Sequence, residues 1–385
     1  MKDFYHHFWF AELLLIASVS SLSAQVLLED HTDITFSFTG DVWEAELRHG
    51  GTDDNPDTST PLDQASLPAS DTPSSAGNRY TQPDLDSFDF TGVADGEPLW
   101  IFPQSDFGYD YTWPGFRTDH IPGTFLAYNP SDPRVTTVPQ PWVTIKLVGM
   151  DYVGASNDPQ FSLFQDQNGA ILWMATSDGI DASDVFLMPE NEHTHLSFAF
   201  SSLGLYRIAF QPSARLTETL TVEGKPQWVS FAIGTKATWT ASHYSGEDLF
   251  TESVSGDASD SDQDGIRLLL EYAFNLNPVV ADVKILEPTT GTSGLPLTRL
   301  MPDGANTALE IEYIRRKAST NPQISYFAEF KDDLGTGEWT VQTAETVTSI
   351  DDTWERVIVD DSVDTSVSNQ RFGRVRIEVQ DSIIY

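Results

Sequence analysis

The segment HTHLSFAF, residues 193–200, alternates apolar side chains with small or polar ones. Leu196, Phe198 and Phe200 would lie on one face of a β-strand, because successive side chains point to opposite faces. The same period places His193 and His195 together on the other face, roughly 7 Å apart along the backbone. The segment therefore predicts a strand with one face in a core and two imidazoles on the opposite face.

Short segments of this kind recur along the chain, separated by turns that contain Gly, Pro and Asn. One helical stretch, residues 266–276, interrupts them and is stopped by Asn277 and Pro278. Many short strands between such turns are typical of antiparallel β-sandwiches. We predict an all-β protein with two antiparallel β-sandwich domains, whose strands lie near residues 33–38, 42–47, 141–150, 160–165, 170–175, 193–200, 205–210, 226–234, 307–316, 323–330, 338–344, 354–359 and 372–379.

Differences in local composition predict how the chain is divided into domains and connecting segments. Residues 51–88 lack periodicity and are rich in Asp, Pro, Ser, Thr and Gly, which indicates an acidic surface insertion. Residues 236–259 are polar and acidic, as in a linker. The predicted parts are a signal peptide at 1–24, a first sandwich at 25–235 that contains the insertion, a linker at 236–259, an acidic loop with one short helix at 260–278, and a second sandwich at 279–385.

The charge balance restricts the class of partner. The 385 residues include 58 acidic and 21 basic side chains, which gives a formal net charge of −37. Such a chain repels phosphate backbones, so we expect no nucleic-acid partner. The sequence has no cysteine, which excludes thiolate metal sites and disulfides. An exported chain without disulfides depends on its hydrophobic cores or on bound ions for stability.

The N-terminus predicts export. Residues 13–25, LLLIASVSSLSAQ, form an apolar stretch followed by small residues, as in a cleaved signal peptide. Cleavage after Ala24 would leave Leu22 and Ala24 at the recognition positions. A membrane anchor is the alternative, although the apolar run is short for a bilayer. We expect a secreted or cell-surface protein with no transmembrane segment in its mature chain.

Residues 260–271, DSDQDGIRLLLE, follow the pattern D-x-D-x-D-G-x5-E of a calcium-binding loop. Alternate carboxylates can converge on one hard cation, the glycine permits the sharp turn, and the final glutamate can close the sphere with two oxygens. The alternative is an acidic linker before a helix N-terminus, which favours carboxylates. The predicted Ca²⁺ ligands are Asp260, Asp262, Asp264, the carbonyl of Ile266, and Glu271, in a single dockerin-like or thrombospondin-type-3-like loop.

The histidines suggest a second ion. Imidazoles two residues apart on a strand suit two ligands of Zn²⁺ or another transition metal. His31 and Asp33 open the first strand on its polar face and could complete such a site. The alternative is that His193 and His195 are solvent-exposed strand residues without a ligand.

The longer segments GEPLWIFPQ, GFRTDHIPGTF and HTHLSFAFSSLGLY, together with the opening H-x-D, resemble the choice-of-anchor M domain family. The resemblance covers most of residues 27–234 and implies a bacterial, surface-anchored protein. It strengthens the expectation of metal at His193 and His195. The family often carries histidine in the second strand, where this chain has Glu46 and Arg48 with His49 alongside. The tail DSDQDGIRLLLEYAFNLNP resembles the segment that precedes a C-terminal β module in exported bacterial proteins.

No catalytic motif accompanies these features. G-x-S-x-G, HExxH and a phosphate-binding loop are absent from the sequence, so we expect a protein that is not an enzyme and that meets an extracellular or cell-surface partner. The alternative function is carbohydrate binding by the aromatic cluster at residues 100–116, since aromatic rings can stack on sugars. Its candidate residues are Trp100, Tyr109, Tyr111 and Trp113; the competing interpretation is that they cap the sandwich core.

Overall fold

The computed structural model describes residues 25–26, 31–50, 58–105, 112–121, 123–135, 138–166, 169–368 and 370–380. Strands make up about 47% of the chain and helices about 10%, which confirms the all-β class. The predicted signal peptide at 1–24 lies outside the described residues. In the part that is described, no helix is long and apolar enough to cross a membrane.

The strands of the first half alternate with short turns. They are β1 (Gln25–Val26), β2 (His31–Thr39), β3 (Val42–His49), β4 (Thr58–Pro61), β5 (Ala65–Ala69), β6 (Arg79–Thr81), β7 (Pro98–Phe102), β8 (Trp113–His120), β9 (Ala127–Tyr128), β10 (Gln140–Val153), β11 (Phe161–Asp166), β12 (Ala170–Ala175), β13 (Val185–Pro189), β14 (His193–His195), β15 (Ser197–Phe200), β16 (Gly204–Arg215), β17 (Thr221–Glu223) and β18 (Gln227–Ile233).

The remaining elements include three short α-helices and seven strands. They are α1 (Thr235–Ala241), α2 (Glu252–Ser255), α3 (Leu268–Phe274), β19 (Leu297–Asp303), β20 (Asn306–Arg316), β21 (Ile324–Lys331), β22 (Thr340–Val341), β23 (Thr346–Ser349), β24 (Trp354–Asp364) and β25 (Phe372–Val379). In the part of the chain that the structure describes, 3-10 helices lie at Leu62–Gln64, Asp86–Thr91, Asp248–Phe250 and Ala318–Thr320.

Three sheets enclose the first core. The largest has the order β1-β5-β18-β16-β10-β13, with β17 beside β16 and β9 beside β10; the others are β12-β11-β15-β7-β6 and β14-β8-β2-β3-β4. Phenylalanines of the largest sheet contact those of the other two, as in the pairs Phe210–Phe116 and Phe231–Phe102, with ring centroids 5.1 and 5.8 Å apart. Most strand pairs are antiparallel, as expected, but β2 and β8 are parallel. Strand β14 pairs with the other side of β8, and the histidine cluster is formed by residues of β2 and β14.

Residues 58–88 do not behave as a surface insertion. Strand β5 lies between β1 and β18 in the largest sheet, and all five of its residues are buried. Its sequence ASLPA is short, contains a proline and lies in a polar region, so no alternation revealed it. Parallel pairing with β18 supplies its hydrogen bonds. The expectation of an insertion over 51–88 was wrong from residue 58 onward, and residues 51–57 lie outside the described residues.

The segment expected to be a linker is folded as well. Ala237, Ala241, Tyr244 and Leu249 are buried and pack in one cluster with Leu268 of α3. Helices α1 and α2 therefore precede the acidic loop, in a stretch where we expected a linker. Helix α3 begins at Leu268 and ends at Phe274, because the next residue takes a left-handed conformation.

The second half has two antiparallel sheets, with the orders β19-β20-β24-β23 and β22-β21-β25. Their core includes Ile311, Phe330 and Val357, and α3 adds Tyr272 and Phe274 to it. Helix α3 thus belongs to both the acidic loop and the second core.

Candidate metal centres

Strand β8 brings the two histidine-bearing segments together. It lies between β2 and β14, so that His31 pairs with Trp113 on one side and His195 pairs with Gly115 on the other. The three histidines lie on the face of this sheet that is opposite Ile34 and Phe116, which are fully buried in the core. At His31, Asp33, Trp113, Gly115, His193 and His195 the odd-numbered positions of β2, β8 and β14 thus face the site, whereas Ile34 and Phe116 face the core.

The three imidazoles form a compact cluster. The ring centroid of His31 lies 6.1 Å from that of His193 and 5.0 Å from that of His195, and the other two centroids lie 5.9 Å apart. One nitrogen from each ring lies within 4.8 Å of the other two. Three imidazole nitrogens at this separation can converge on one metal ion.

Several nitrogens of the cluster are buried without a hydrogen-bond partner. His31 is 6% exposed, and neither of its ring nitrogens has a hydrogen-bond partner. The Nδ1–H of His195 donates to the carbonyl of Pro114 at 3.0 Å, which leaves its buried Nε2 without a partner. Burial lowers the pKa of His195 to about 4, although Asp33 acts in the opposite direction. The ring is therefore neutral at physiological pH, as a metal ligand must be.

Asp33 lies beside the three histidines rather than among them. Its Oδ2 accepts a hydrogen bond from Arg117 Nε at 2.9 Å, while its Oδ1 lies 3.4 Å from His31 Nε2 and has no hydrogen-bond partner. Asp33 and Arg117 are both buried. The carboxylate places a negative charge next to the cluster, and the guanidinium fixes its orientation.

Gly115 supplies the space under the rings. A Cβ at this position would lie 2.7 Å from Asp33 Oδ1 and 3.0 Å from His195 Cε1. The indole of Trp113 stacks on His195, with centroids 3.8 Å apart and planes at 14°, and holds that ring in place. The sequence did not identify Gly115 or Arg117, because their role depends on which strands flank β8.

The second-strand residues do not join the cluster. The imidazole of His49 is buried and its Nε2 lies 3.0 Å from the Thr60 hydroxyl on the neighbouring strand. Glu46 accepts a hydrogen bond from Ser59. Both side chains therefore interact with β4, on the far side of β3 from β2.

The acidic loop brings three of its predicted ligands together. Carboxylate oxygens of Asp260, Asp262 and Asp264 lie within 4.8 Å of one another. Main-chain N–H groups hold them there: that of Gly265 donates to Asp260 Oδ2 at 3.0 Å, and that of Ile266 donates to Asp264 Oδ1 at 2.7 Å. Gly265 has a φ of 91°, a conformation that suits glycine in such a turn.

Glu271, on α3, adds a buried carboxylate near the three aspartates, although it is not one of the group whose oxygens lie within 4.8 Å of one another. It is 1% exposed, and its Oε1 has no hydrogen-bond partner. Burial, and after it the negative charges of Asp262, Asp264, Asp282 and Asp260, raises the pKa of Glu271 to about 8. Burial likewise raises the pKa of Asp262, whose Oδ2 also lacks a partner. Buried carboxylates without partners are costly unless a cation compensates them.

The aromatic cluster does not form an exposed platform. Trp100 is 3% exposed, and its indole N–H donates to Asp71 Oδ1 at 2.9 Å, so the ring belongs to the core. The proposal of Trp100 as a sugar-stacking residue was therefore wrong. One face of Trp113 is occupied by His195. Tyr109 and Tyr111 lie outside the described residues.

Comparisons with known proteins leave the family open. No family model matches the chain, and no curated protein matches it. Among solved structures, the secreted serine protease VesC from Vibrio cholerae aligns at 11% identity and a TM-score of 0.13. The alignment covers 64% of this chain and 49% of that chain. Similarity at that level carries no argument about fold or activity.

Proposed function

We propose that this protein is an exported, non-enzymatic metal-binding protein of the bacterial cell surface. It binds a transition metal such as Zn²⁺ at His31, His193 and His195, and Ca²⁺ at residues 260–271. The observation that carries the proposal is the group of three imidazoles whose nitrogens lie within 4.8 Å of one another, with unpartnered nitrogens on His31 and His195. Export and the bacterial surface follow from the N-terminal sequence and from the family resemblance.

The donor set favours zinc-class ions. Imidazole suits Zn²⁺, Cu²⁺ and Ni²⁺, whereas Ca²⁺ and Mg²⁺ prefer oxygen. Ligands at about 2.0–2.1 Å from a tetrahedral ion lie roughly 3.4 Å apart, so modest movements of the three rings would close the site. Asp33 next to His31 offsets the positive charge of the ion. The neutral state of His195 means that no proton has to leave its Nε2 before binding at neutral pH.

The acidic loop supplies the chemistry of calcium binding. It offers three aspartates and a buried glutamate, and burial together with the charges of the aspartates raises the pKa of that glutamate in the absence of a cation. Because α3 packs into the second core, an ion at this loop stabilises the connection between the two halves of the chain. The role of calcium here is structural.

Elemental analysis tests the transition-metal site. Protein purified without a nickel or cobalt column, incubated with ZnSO₄ and desalted, should retain about one zinc per chain, the content of a single site. His195→Ala and His31→Ala should lose it. His243→Ala is the matched control, since His243 lies in the α1 region and its Nδ1 is 2.8 Å from the carbonyl of Trp239. Equal zinc contents in the wild type and His195→Ala would overturn the proposal.

A further inference from the structure

The loop lacks a side-chain ligand at its ninth position. Leu268 stands there, is 1% exposed, and packs against Tyr244 and Leu249 in an apolar cluster. Calcium takes six to eight oxygen ligands, and this position commonly contributes a side chain or a bound water. A buried leucine supplies neither, so a calcium ion here needs another oxygen ligand in its place.

Asp282 lies against the loop from outside the twelve-residue pattern. Its main-chain N–H donates to Asp264 Oδ2 at 3.1 Å. Its own Oδ1 accepts a hydrogen bond from the main-chain N–H of Asn277 at 3.4 Å, and its Oδ2 lies 3.7 Å from Nζ of Lys284. The Lys284 side chain is 47% exposed, so it is free to move into solvent when a cation takes its place.

A separate observation indicates that an ion belongs between these groups. Oε1 of Glu271 and Oδ2 of Asp262 are buried and have no hydrogen-bond partner. Glu271 is 99% buried and lies close enough to Asp262, Asp264, Asp282 and Asp260 for their negative charges to act on it. A shared cation would compensate such buried carboxylates and would favour the ionised form of Glu271.

We propose that Asp282 is a calcium ligand from outside the loop, in place of the ligand missing at Leu268. The inference rests on the proposed binding of calcium at residues 260–271. Its consequence is that calcium ties the segment from Leu276 to Leu286 to the loop. Leu286 is 1% exposed and packs against Ile314 and Trp354 of the second half. The ion therefore connects the loop to the second core both through α3 and through this segment.

Calcium titration of the full chain by isothermal calorimetry tests the role of Asp282. Asp282→Ala should bind calcium at least about tenfold more weakly than the wild type, which corresponds to about 1.4 kcal/mol. Asp282→Asn should lie between the two, because it retains an oxygen but loses the charge. Glu287→Ala is the matched control, an exposed acidic residue five positions further along the chain, and should bind as the wild type does.

A second measurement separates ligation from folding. Both variants keep the main-chain N–H that binds Asp264, so their circular dichroism in EDTA should match that of the wild type. Hydrogen exchange of residues 276–286 should slow on calcium addition in the wild type but not in Asp282→Ala. Wild-type binding with an unaltered affinity in Asp282→Ala would overturn this inference and leave the calcium loop standing. No binding by the wild type would overturn both.

Discussion

Replacement of Glu271 by glutamine is expected to have opposite effects with and without calcium. In EDTA at pH 9 the variant should be more stable than the wild type, because it removes a buried negative charge that faces several aspartates. In millimolar calcium it should be less stable, because it removes the carboxylate that closes the site. A residue with a merely structural role would shift stability in the same direction under both conditions.

The pKa of Glu271 sets the magnitude and the pH range. Its pKa rises from 4.5 to about 8 in the folded protein without an ion. Each unit corresponds to about 1.4 kcal/mol, so ionising the folded carboxyl costs on the order of 5 kcal/mol. The folded state binds a proton at Glu271 more tightly than the unfolded state does. The protonated carboxyl therefore contributes its full stabilisation below pH 4.5, and this contribution is lost as the pH rises towards 8 and beyond. Calcium, which binds the ionised form, should remove this pH dependence.

Differential scanning calorimetry of both proteins at pH 5 and pH 9, in EDTA and in calcium, measures these effects. Calcium at a hundred times its dissociation constant should stabilise the wild type by about 2.7 kcal/mol. For a domain of 60–100 residues, each kcal/mol moves Tm by about 4–8 °C. Glu271→Gln should show little of this rise. Identical Tm values for the two proteins in EDTA at pH 9 would refute the view that the buried carboxylate is destabilising without an ion.

Three further substitutions test the first half of the chain. Gly115→Ala should weaken zinc binding by at least about tenfold in a competition titration, because its Cβ would lie 3.0 Å from His195 Cε1. An unchanged affinity would show that this position of β8 is not part of the metal site. Arg117→Met should lower the free energy of unfolding by about 3–5 kcal/mol in urea, because it leaves the buried Asp33 carboxylate without its 2.9 Å partner; a loss under about 1 kcal/mol would contradict that. Trp100→Ala should cost about 3–5 kcal/mol in the same assay, as expected for a core tryptophan; full stability would show that the ring is not needed for packing.

Much of the histidine cluster and of the acidic loop could be predicted from local sequence patterns. The spacing of His193 and His195 on a strand placed both imidazoles on one face, since side chains in a strand alternate whatever the strand pairs with. The spacing of the carboxylates from Asp260 to Asp264 brought those groups together for a similar reason, because the turn at Gly265 is encoded within the loop. In both cases the interacting residues are close in sequence.

Predictions were wrong where the sequence has no local pattern that indicates burial. Strand β5 has neither alternation nor a hydrophobic run, and its place in the core depends on hydrogen bonds to β18, about 160 residues later. Trp100 was a candidate sugar-stacking residue in the alternative function because it belongs to an aromatic cluster in a loop-rich stretch, whereas its partner Asp71 lies in a region where we expected an insertion. Burial at these positions is decided by distant contacts.

The sequence by itself determined the all-β class, the alternation of side chains that directs His193 and His195 away from the core, and the order of carboxylates in the acidic loop. Each of these follows from the geometry of a few consecutive residues. Only the tertiary structure decided that β8 lies between β2 and β14, which brings His31 to His193 and His195 and places Gly115 beneath them. It also decided that Asp282 lies beside Asp264. Strand order and loop docking depend on packing energies summed over the whole chain, and no short segment contains that sum.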